Sequence, residues 1–210
     1  MKKLYNQLPE LKKVHKVKVS EYFTYTYLPI KFPGAHELVF EERLNVFGQI
    51  IGASCCDFVA DFGLDRYIDS YVYVTAKHMY QKDCAFNRPG YHSDSFLTED
   101  ISYIWSDSQP TIFNSGPFLL SQNDQISLDE MESQAKIKNE VTYPNGSLLR
   151  LNQFVIHKVG APITGNRAFL KICISKDKYD LVGNSHNYKL DYNWPMRPRS
   201  PERNIPQEIK

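Results

Sequence analysis

Along residues 167 to 175 two surfaces alternate. Ala168, Leu170, Ile172 and Ile174 point one way, and Arg167, Phe169, Lys171, Cys173 and Ser175 the other, because successive side chains of an extended chain project to opposite faces. The first face is wholly apolar and has to be covered. The second begins with a charge, as the wall of a pocket does. A strand of this kind requires a sheet with one face packed and the other turned to a cavity, so any fold for this chain must supply both.

The rest of the chain supplies further elements. Apolar residues from Val39 to Phe62, among them Leu44, Phe47, Ile50, Ile51, Cys55 and Phe58, recur at steps of three and four, the helical period. A helix over 39–62 backing a sheet is predicted. The β-branched and aromatic runs at 69–76 and 101–105 predict strands. Ser127 to Glu130 is a capping-box pattern, predicting a helix over about 128–138. Pro144-Asn145-Gly146 is a turn signal, with strands expected at 147–157 and 167–175. With 210 residues and 42% hydrophobic content, one domain with a real core is expected. It is placed at residues 1–183, including an N-terminal strand and helix extension. Residues 184–210 read as an irregular, basic, Pro-rich tail that wraps the domain.

Formal net charge is +1, so no global field favours a nucleic acid or an anionic membrane. Lys2, Lys3, Lys12, Lys13, Lys16 and Lys18 crowd the first twenty residues, and Arg197, Arg199 and Arg203 the tail. Two readings stay open for these ends: solvated charge, or contact with nucleic acid or another partner. No run reaches the roughly 18 apolar residues of a membrane span, and no apolar segment follows the early lysines as in a secretory signal. Cys55, Cys56, Cys84 and Cys173 show neither a CxxC pair nor a disulfide framework. A reducing cytoplasm is the expected location.

The chemistry concentrates at His92-Ser93-Asp94 and His157. Two imidazoles and a carboxylate suit Fe(II) and take one face of the ion, leaving the opposite positions open. His92 and Asp94, two apart on an extended segment, project to the same side. His157 must arrive from another strand. Ten residues later, Arg167 offers a planar, permanently charged fork, the best match for a carboxylate in a partly dry pocket. If the Gly- and Pro-bearing segment from Lys158 to Asn166 joins neighbouring sheet positions, His157 and Arg167 address one cavity.

These motifs carry a resemblance. Asn87-Arg88-Pro89-Gly90-Tyr91-His92-Ser93-Asp94 resembles the proximal ligand motif of the Fe(II)/2-oxoglutarate-dependent dioxygenases. The stretch from Tyr143-Pro144-Asn145-Gly146 through His157-Lys158-Val159 to Gly165-Asn166-Arg167 is similar to the C-terminal half of their fold. The likeness spans about residues 69 to 176, and phage-encoded members look most similar. It implies a mainly β fold with flanking helices, a double-stranded β-helix of the jelly-roll, cupin-like kind. It further implies Fe(II) on His92, Asp94 and His157, 2-oxoglutarate as cosubstrate with Arg167 on its distal carboxylate, O₂ as oxidant, and a bacterial or phage-infected cytoplasm as the setting. Some members carry Arg-x-Ser for the cosubstrate, and here the third position is Phe169. Tyr73, Tyr103 and Asn114 are candidates for a second cosubstrate contact, against their reading as core tyrosines and a turn asparagine.

The substrate is left open. Tyr91, Phe96, Tyr103 and Trp105 near the ligand motif are either core aromatics or a stacking surface for a flat substrate such as a nucleobase. A protein side chain and a small metabolite are the other classes. Two other functions fit a β-barrel bearing this set: a cupin-like metal-binding isomerase, lyase or sensor, and a structural protein retaining the fold. Arg167 argues against the first, since a dicarboxylate clamp has no obvious use there.

Overall fold

The computed structural model describes residues 1–82, 89–161 and 164–198. The strands are β1 (Lys2–Tyr5), β2 (Glu10–Val14), β3 (Phe23–Lys31), β4 (Tyr71–Gln81), β5 (Ile101–Ser106), β6 (Ile112–Asn114), β7 (Phe118–Ser121), β8 (Glu140–Val141), β9 (Ser147–Leu151), β10 (His157–Lys158) and β11 (Gly165–Ser175). The helices are α1 (Gly48–Phe62), α2 (Leu64–Ile68) and α3 (Asp124–Gln134). Six strands form one antiparallel sheet in the order β2-β9-β5-β11-β4-β3. A smaller sheet, β10-β6-β8, and the pair β1-β7 complete the β structure. The fold is mainly β with flanking helices, a double-stranded β-helix of the jelly-roll kind.

The alternation of β11 organises the packing. Ala168, Leu170, Ile172 and Ile174 join Val72, Val74 and Ala76 of β4, Tyr103 and Trp105 of β5, and Ile50, Ile51, Cys55 and Phe58 of α1 in one apolar cluster. This is the outer face of the large sheet, and α1 covers it. On the inner face Phe169, Ile104, Leu149 and Leu151 meet Phe113 and Val155 from the opposite side, which closes the sandwich. A third cluster, with Tyr5, Tyr91, Phe118, Leu120, Met131 and Ile156, packs the small sheets against α3.

Several element boundaries differ from expectation, each for a local reason. Residues 39–41 are not helical, because the Val39 amide donates to the Ile30 carbonyl at 2.8 Å, and Glu42–Phe47 form a 3-10 turn before α1. The helix expected over 128–138 runs instead over Asp124–Gln134. Asn123 is its N-cap, accepting from the Gln125 and Ile126 amides, while the Ser127 hydroxyl turns back to the Asp124 carbonyl. The strand expected over 147–157 breaks after Leu151. Asn152 folds the chain there by accepting the Phe154 amide at 2.9 Å, an Asx turn, and His157 begins a separate strand in the other sheet. Cys84, Asn87, Arg88 and the tail beyond Pro198 lie outside the described residues. Among the described residues no helix is long and apolar enough to cross a membrane. Part of the N-terminal lysine excess is neutralised, since Lys2 pairs with Glu130 at 2.8 Å and Lys12 with Asp57 at 3.0 Å.

One buried cation ties the large sheet to the helices. Lys31 is 1% exposed, and its ammonium donates to the carbonyls of Phe32, Tyr67, Ile68 and Ser70 at 2.8–3.2 Å. Two of these belong to the last turn of α2, where carbonyls lack helical partners. Lys31→Met keeps the stem and removes every donor. It is expected to lower unfolding free energy by about 3–5 kcal/mol, the scale of stranding buried polar groups. A fall in the urea midpoint at unchanged m-value measures it.

Candidate metal centre and its cavity

Two local devices bring the ligand residues together. Gly90, at φ 84°, turns the chain into the His92 segment. His92 and His157 then exchange both backbone hydrogen bonds, each 2.9 Å, as an isolated antiparallel bridge. Their rings lie 4.5 Å apart. Asp94, two residues on, reaches the same side, with its Oδ2 3.7 Å from His157 Nε2. One ligand atom from each of His92, Asp94 and His157 lies within 4.8 Å of the others. Among the described residues this is the one group of three or more such side chains placed so that it could hold a metal ion.

The imidazoles are oriented from behind. His92 Nδ1 lies 3.0 Å from the Gly90 carbonyl and His157 Nδ1 3.3 Å from the Val155 carbonyl. Nδ1 as donor leaves the lone pair on Nε2, the tautomer a metal needs. Burial pushes the His157 pKa down against the pull of Asp94, which favours the neutral ring that a metal would need. Burial opposes ionisation of Asp94, but the Lys171 ammonium and the two imidazoles outweigh it and hold the carboxyl below the usual carboxylate range. Lys171 is itself buried. Its Nζ is 2.8 Å from Asp94 Oδ2 and donates to the Tyr27 hydroxyl at 3.1 Å.

The donor set fits a first-row divalent ion: two neutral imidazole nitrogens and one carboxylate on a single face. Lys171 adds a positive charge beside that face and weakens the attraction for a dication. A carboxylate offers about four lone-pair sites on two oxygens, so Asp94 can serve both the ammonium and an ion.

A cavity of about 470 Å³ opens over these residues, within the range of small-molecule sites. Phe169 and Lys171 of β11, Thr75 and Lys77 of β4, and Ile104 of β5 form its inner-sheet wall, and Tyr27 and Tyr179 line it too. The register explains this wall, since Phe169 faces Lys77 and Lys171 faces Thr75 across the ladder.

The other sequence candidates are placed as follows. Arg167 is on the inner face but two residues beyond Phe169, and it does not line the cavity. Its Nε donates to the Ser108 carbonyl and one terminal nitrogen to the Gln109 carbonyl, both at 3.1 Å, and its guanidinium lies 5.1 Å from the Phe169 ring. Burial lowers its pKa to about 10, so it remains charged. Tyr103 points to the outer face, where its hydroxyl donates to Asp57 at 2.7 Å. Odd-numbered residues of β5 face α1, which removes Tyr103 and Trp105 from the cavity. Asn114 donates to the Lys136 carbonyl and accepts the Gly116 amide, so it holds loops together. Tyr73 is on the inner face, but its hydroxyl donates to the Asp177 carbonyl and accepts the Tyr179 amide. None of these three lines the cavity. Tyr91 is a core residue whose hydroxyl donates to Glu140 at 2.6 Å, whereas Phe96 contributes to the cavity wall. Lys77, Lys171, Tyr27 and Tyr179 were not singled out by sequence. The alternation that placed Arg167 and Phe169 inward also places Lys171, and Thr75 and Lys77 follow the same rule on β4.

No protein-family model matches the chain, and no curated protein matches it in sequence. Solved structures resemble it at low identity. EvdO2 from Micromonospora carbonacea var. aurantiaca, complexed with 2-oxoglutarate, aligns with a TM-score of 0.43 and 12% identity over 79% of this chain and 83% of its own. An oxidoreductase of the 2OG-Fe(II) oxygenase family from Burkholderia pseudomallei aligns with a TM-score of 0.42 and 13% identity over 80% and 76%. A cupin protein from Bacteroides fragilis aligns with a TM-score of 0.30 and 13% identity over 56% and 71%.

Proposed function

We propose that the chain is an Fe(II)- and 2-oxoglutarate-dependent dioxygenase that hydroxylates an organic substrate in the cavity over His92, Asp94 and His157. The carrying observation is the meeting of one ligand atom from each of these residues within 4.8 Å, on the wall of a cavity that two lysines also line. Iron held by the three residues would supply O₂ activation, with 2-oxoglutarate as the two-electron reductant. One oxygen atom goes to the substrate as hydroxyl and the other to succinate, with loss of CO₂.

The protein's own residues have separate tasks. The Gly90 and Val155 carbonyls fix the imidazole tautomers. Lys171 keeps Asp94 ionised and oriented. Phe169 and Ile104 exclude water from the inner wall. Three cations are candidates for the far carboxylate of the cosubstrate. Lys171 is paired with Asp94, Arg167 donates to the 108–109 carbonyls and does not line the cavity, and Lys77 lines it. We assign the direct contact to Lys77, and to Arg167 the support of the 107–109 turn and a longer-range charge.

A cupin-like metal-dependent isomerase or lyase is the second reading. It is favoured by the 2.8 Å contact of Lys171 with Asp94, which fixes a permanent positive charge beside the candidate metal, where it can stabilise an anionic intermediate without any oxidant. Anaerobic addition of Fe(II) and then 2-oxoglutarate separates the two. The dioxygenase reading expects a weak visible charge-transfer band that appears only with both present and vanishes in His92→Ala. Metal binding without that band would leave the isomerase or lyase reading.

A further inference from the structure

A second cavity, of about 390 Å³, adjoins the first and shares Tyr27, Tyr179 and Asn184 with it. Its character is different. The first cavity is lined by the candidate ligand residues, lysines and threonines as well as Phe96 and Phe169, whereas the second has no lysine and carries Tyr27 and Tyr179 from the body of the domain with His186, Tyr192 and Trp194 from the tail. His186 and Tyr192 are stacked, 4.4 Å apart at 23°, and Tyr192 and Trp194 are 4.7 Å apart. Tyr27 and Tyr179 meet edge to face at 5.2 Å.

Two observations argue that this aromatic lining is built rather than incidental. First, the tail is strapped down on both sides of the rings. Asn187, fully buried, donates to the carbonyls of Pro29 and Val39 at 2.8 and 2.7 Å. Ser185 exchanges hydrogen bonds with Thr26, and Arg197 pairs with Asp180 at 2.6 Å. Ordering a polar, irregular segment is entropically unfavourable, and these bonds hold the rings at the mouth of the active-site cavity. Second, Tyr27 has φ 45° inside β3, where pairing with β4 slips between Tyr25 and Leu28. Left-handed backbone is rare for a bulky residue, and bulges re-aim side chains next to functional sites. Here the bulge turns Tyr27 into the partition between the cavities. Its amide is held by Thr75 Oγ1 at 3.0 Å and its hydroxyl by Lys171, which in turn contacts Asp94. One side chain thus belongs to both cavities and stands two contacts from the ligand carboxylate.

We propose that the second cavity is the subsite for a planar aromatic portion of the substrate, whose remaining part passes Tyr27 to reach the metal centre. This rests on the dioxygenase reading for the identity of the reaction, but not for the binding itself. His186 and Tyr192 cover one face of each other, and Trp194 packs against Phe32, Tyr71 and Lys178, so each ring has at most one face left, which suits a flat guest slotted against it. A puckered aliphatic ring of equal size fills the same volume without stacking.

The test uses the full chain without metal, with 2-naphthol and its fully saturated counterpart, decahydro-2-naphthol, as probes in ligand-observed NMR titrations. Naphthol is expected to bind at least about tenfold tighter than the saturated alcohol, and Trp194→Ala to weaken naphthol about tenfold or more, the scale of losing one stacking partner. Trp194→Phe, which keeps a flat face, is expected to retain most of the affinity, so a loss seen in both variants alike would mean that the tail has merely come loose and would overturn the stacking claim. Equal affinity for the two alcohols overturns the aromatic subsite. A second arm adds Mn(II), whose paramagnetism is expected to relax the bound naphthol protons, an effect reversed when diamagnetic Zn(II) displaces the Mn(II). Bound Mn(II) without relaxation of bound naphthol overturns the link between the cavities. Failure of Mn(II) to bind counts against the metal centre alone, since the naphthol arm decides the subsite without it.

Discussion

Asp94→Ala is expected to abolish binding of a first-row divalent ion, lowering Co(II) affinity by far more than the roughly 10–100-fold typical of outer-shell changes. Asp94 is the one anionic member of the set, and two neutral imidazoles alone do not hold such an ion on a site that Lys171 already makes electropositive. The same substitution leaves the buried Lys171 ammonium without its carboxylate, so a stability loss of about 3–5 kcal/mol is expected alongside. The two effects separate in Asp94→Ala/Lys171→Met, which removes the stranded charge. That variant is expected to recover most of the stability and none of the metal affinity. Anaerobic Co(II) titration and urea denaturation of both variants check the pair. Near-normal Co(II) binding by Asp94→Ala would remove the metal centre from this place in the fold.

The second large effect concerns the cosubstrate. Lys77→Ala is expected to weaken 2-oxoglutarate by about thirty- to several-thousand-fold with Co(II) binding nearly intact, since truncating a charged partner in a dry site costs about 2–5 kcal/mol. Burial, followed by the nearby Arg167 charge, lowers the Lys77 pKa, and the opposite charge of an arriving carboxylate offsets that destabilisation of the ammonium. Arg167→Ala is expected to affect affinity less than Lys77→Ala and stability more, because two carbonyls lose charged donors. Calorimetric titration of both variants with 2-oxoglutarate decides the assignment. The opposite ranking would return the clamp to Arg167.

These two predictions mark where sequence reading reached and where it stopped. Period-two alternation was enough to find both faces of β11, because one face is all aliphatic and a strand has no freedom to rotate a single side chain out of register. That His92 and Asp94 share a side was legible for the same reason, by spacing alone, whereas the meeting with His157 depends on a bridge between distant segments. The cosubstrate candidates were less legible. Tyr103 and Asn114 were chosen from strand placement, but which face of β5 looks inward is decided by α1, some fifty residues earlier, covering Tyr103 and Trp105. Helix and strand ends moved wherever a single polar side chain took a backbone amide, as Asn123 and Asn152 do. The tail was read as polar and irregular, and its described residues, up to Pro198, form no helix and only an isolated bridge at Arg197. Its fixed position comes from Asn187 and Arg197 bonding to residues far away in the chain, and no local pattern encodes that.

The backbone bridge between His92 and His157 makes the two imidazoles a single mechanical unit. Neither backbone position can leave the other without breaking both amide hydrogen bonds of the bridge. Loosening of the Gly90–Asp94 segment from β10, which stays paired with β6, therefore frees the two amides in one event, with one opening free energy. The His92 and His157 amides are expected to exchange with solvent deuterium at matched rates, and to slow together when an ion is bound, by the free energy of that binding. Two protons buried behind the rings thereby report whether the site is assembled, with no need for a substrate.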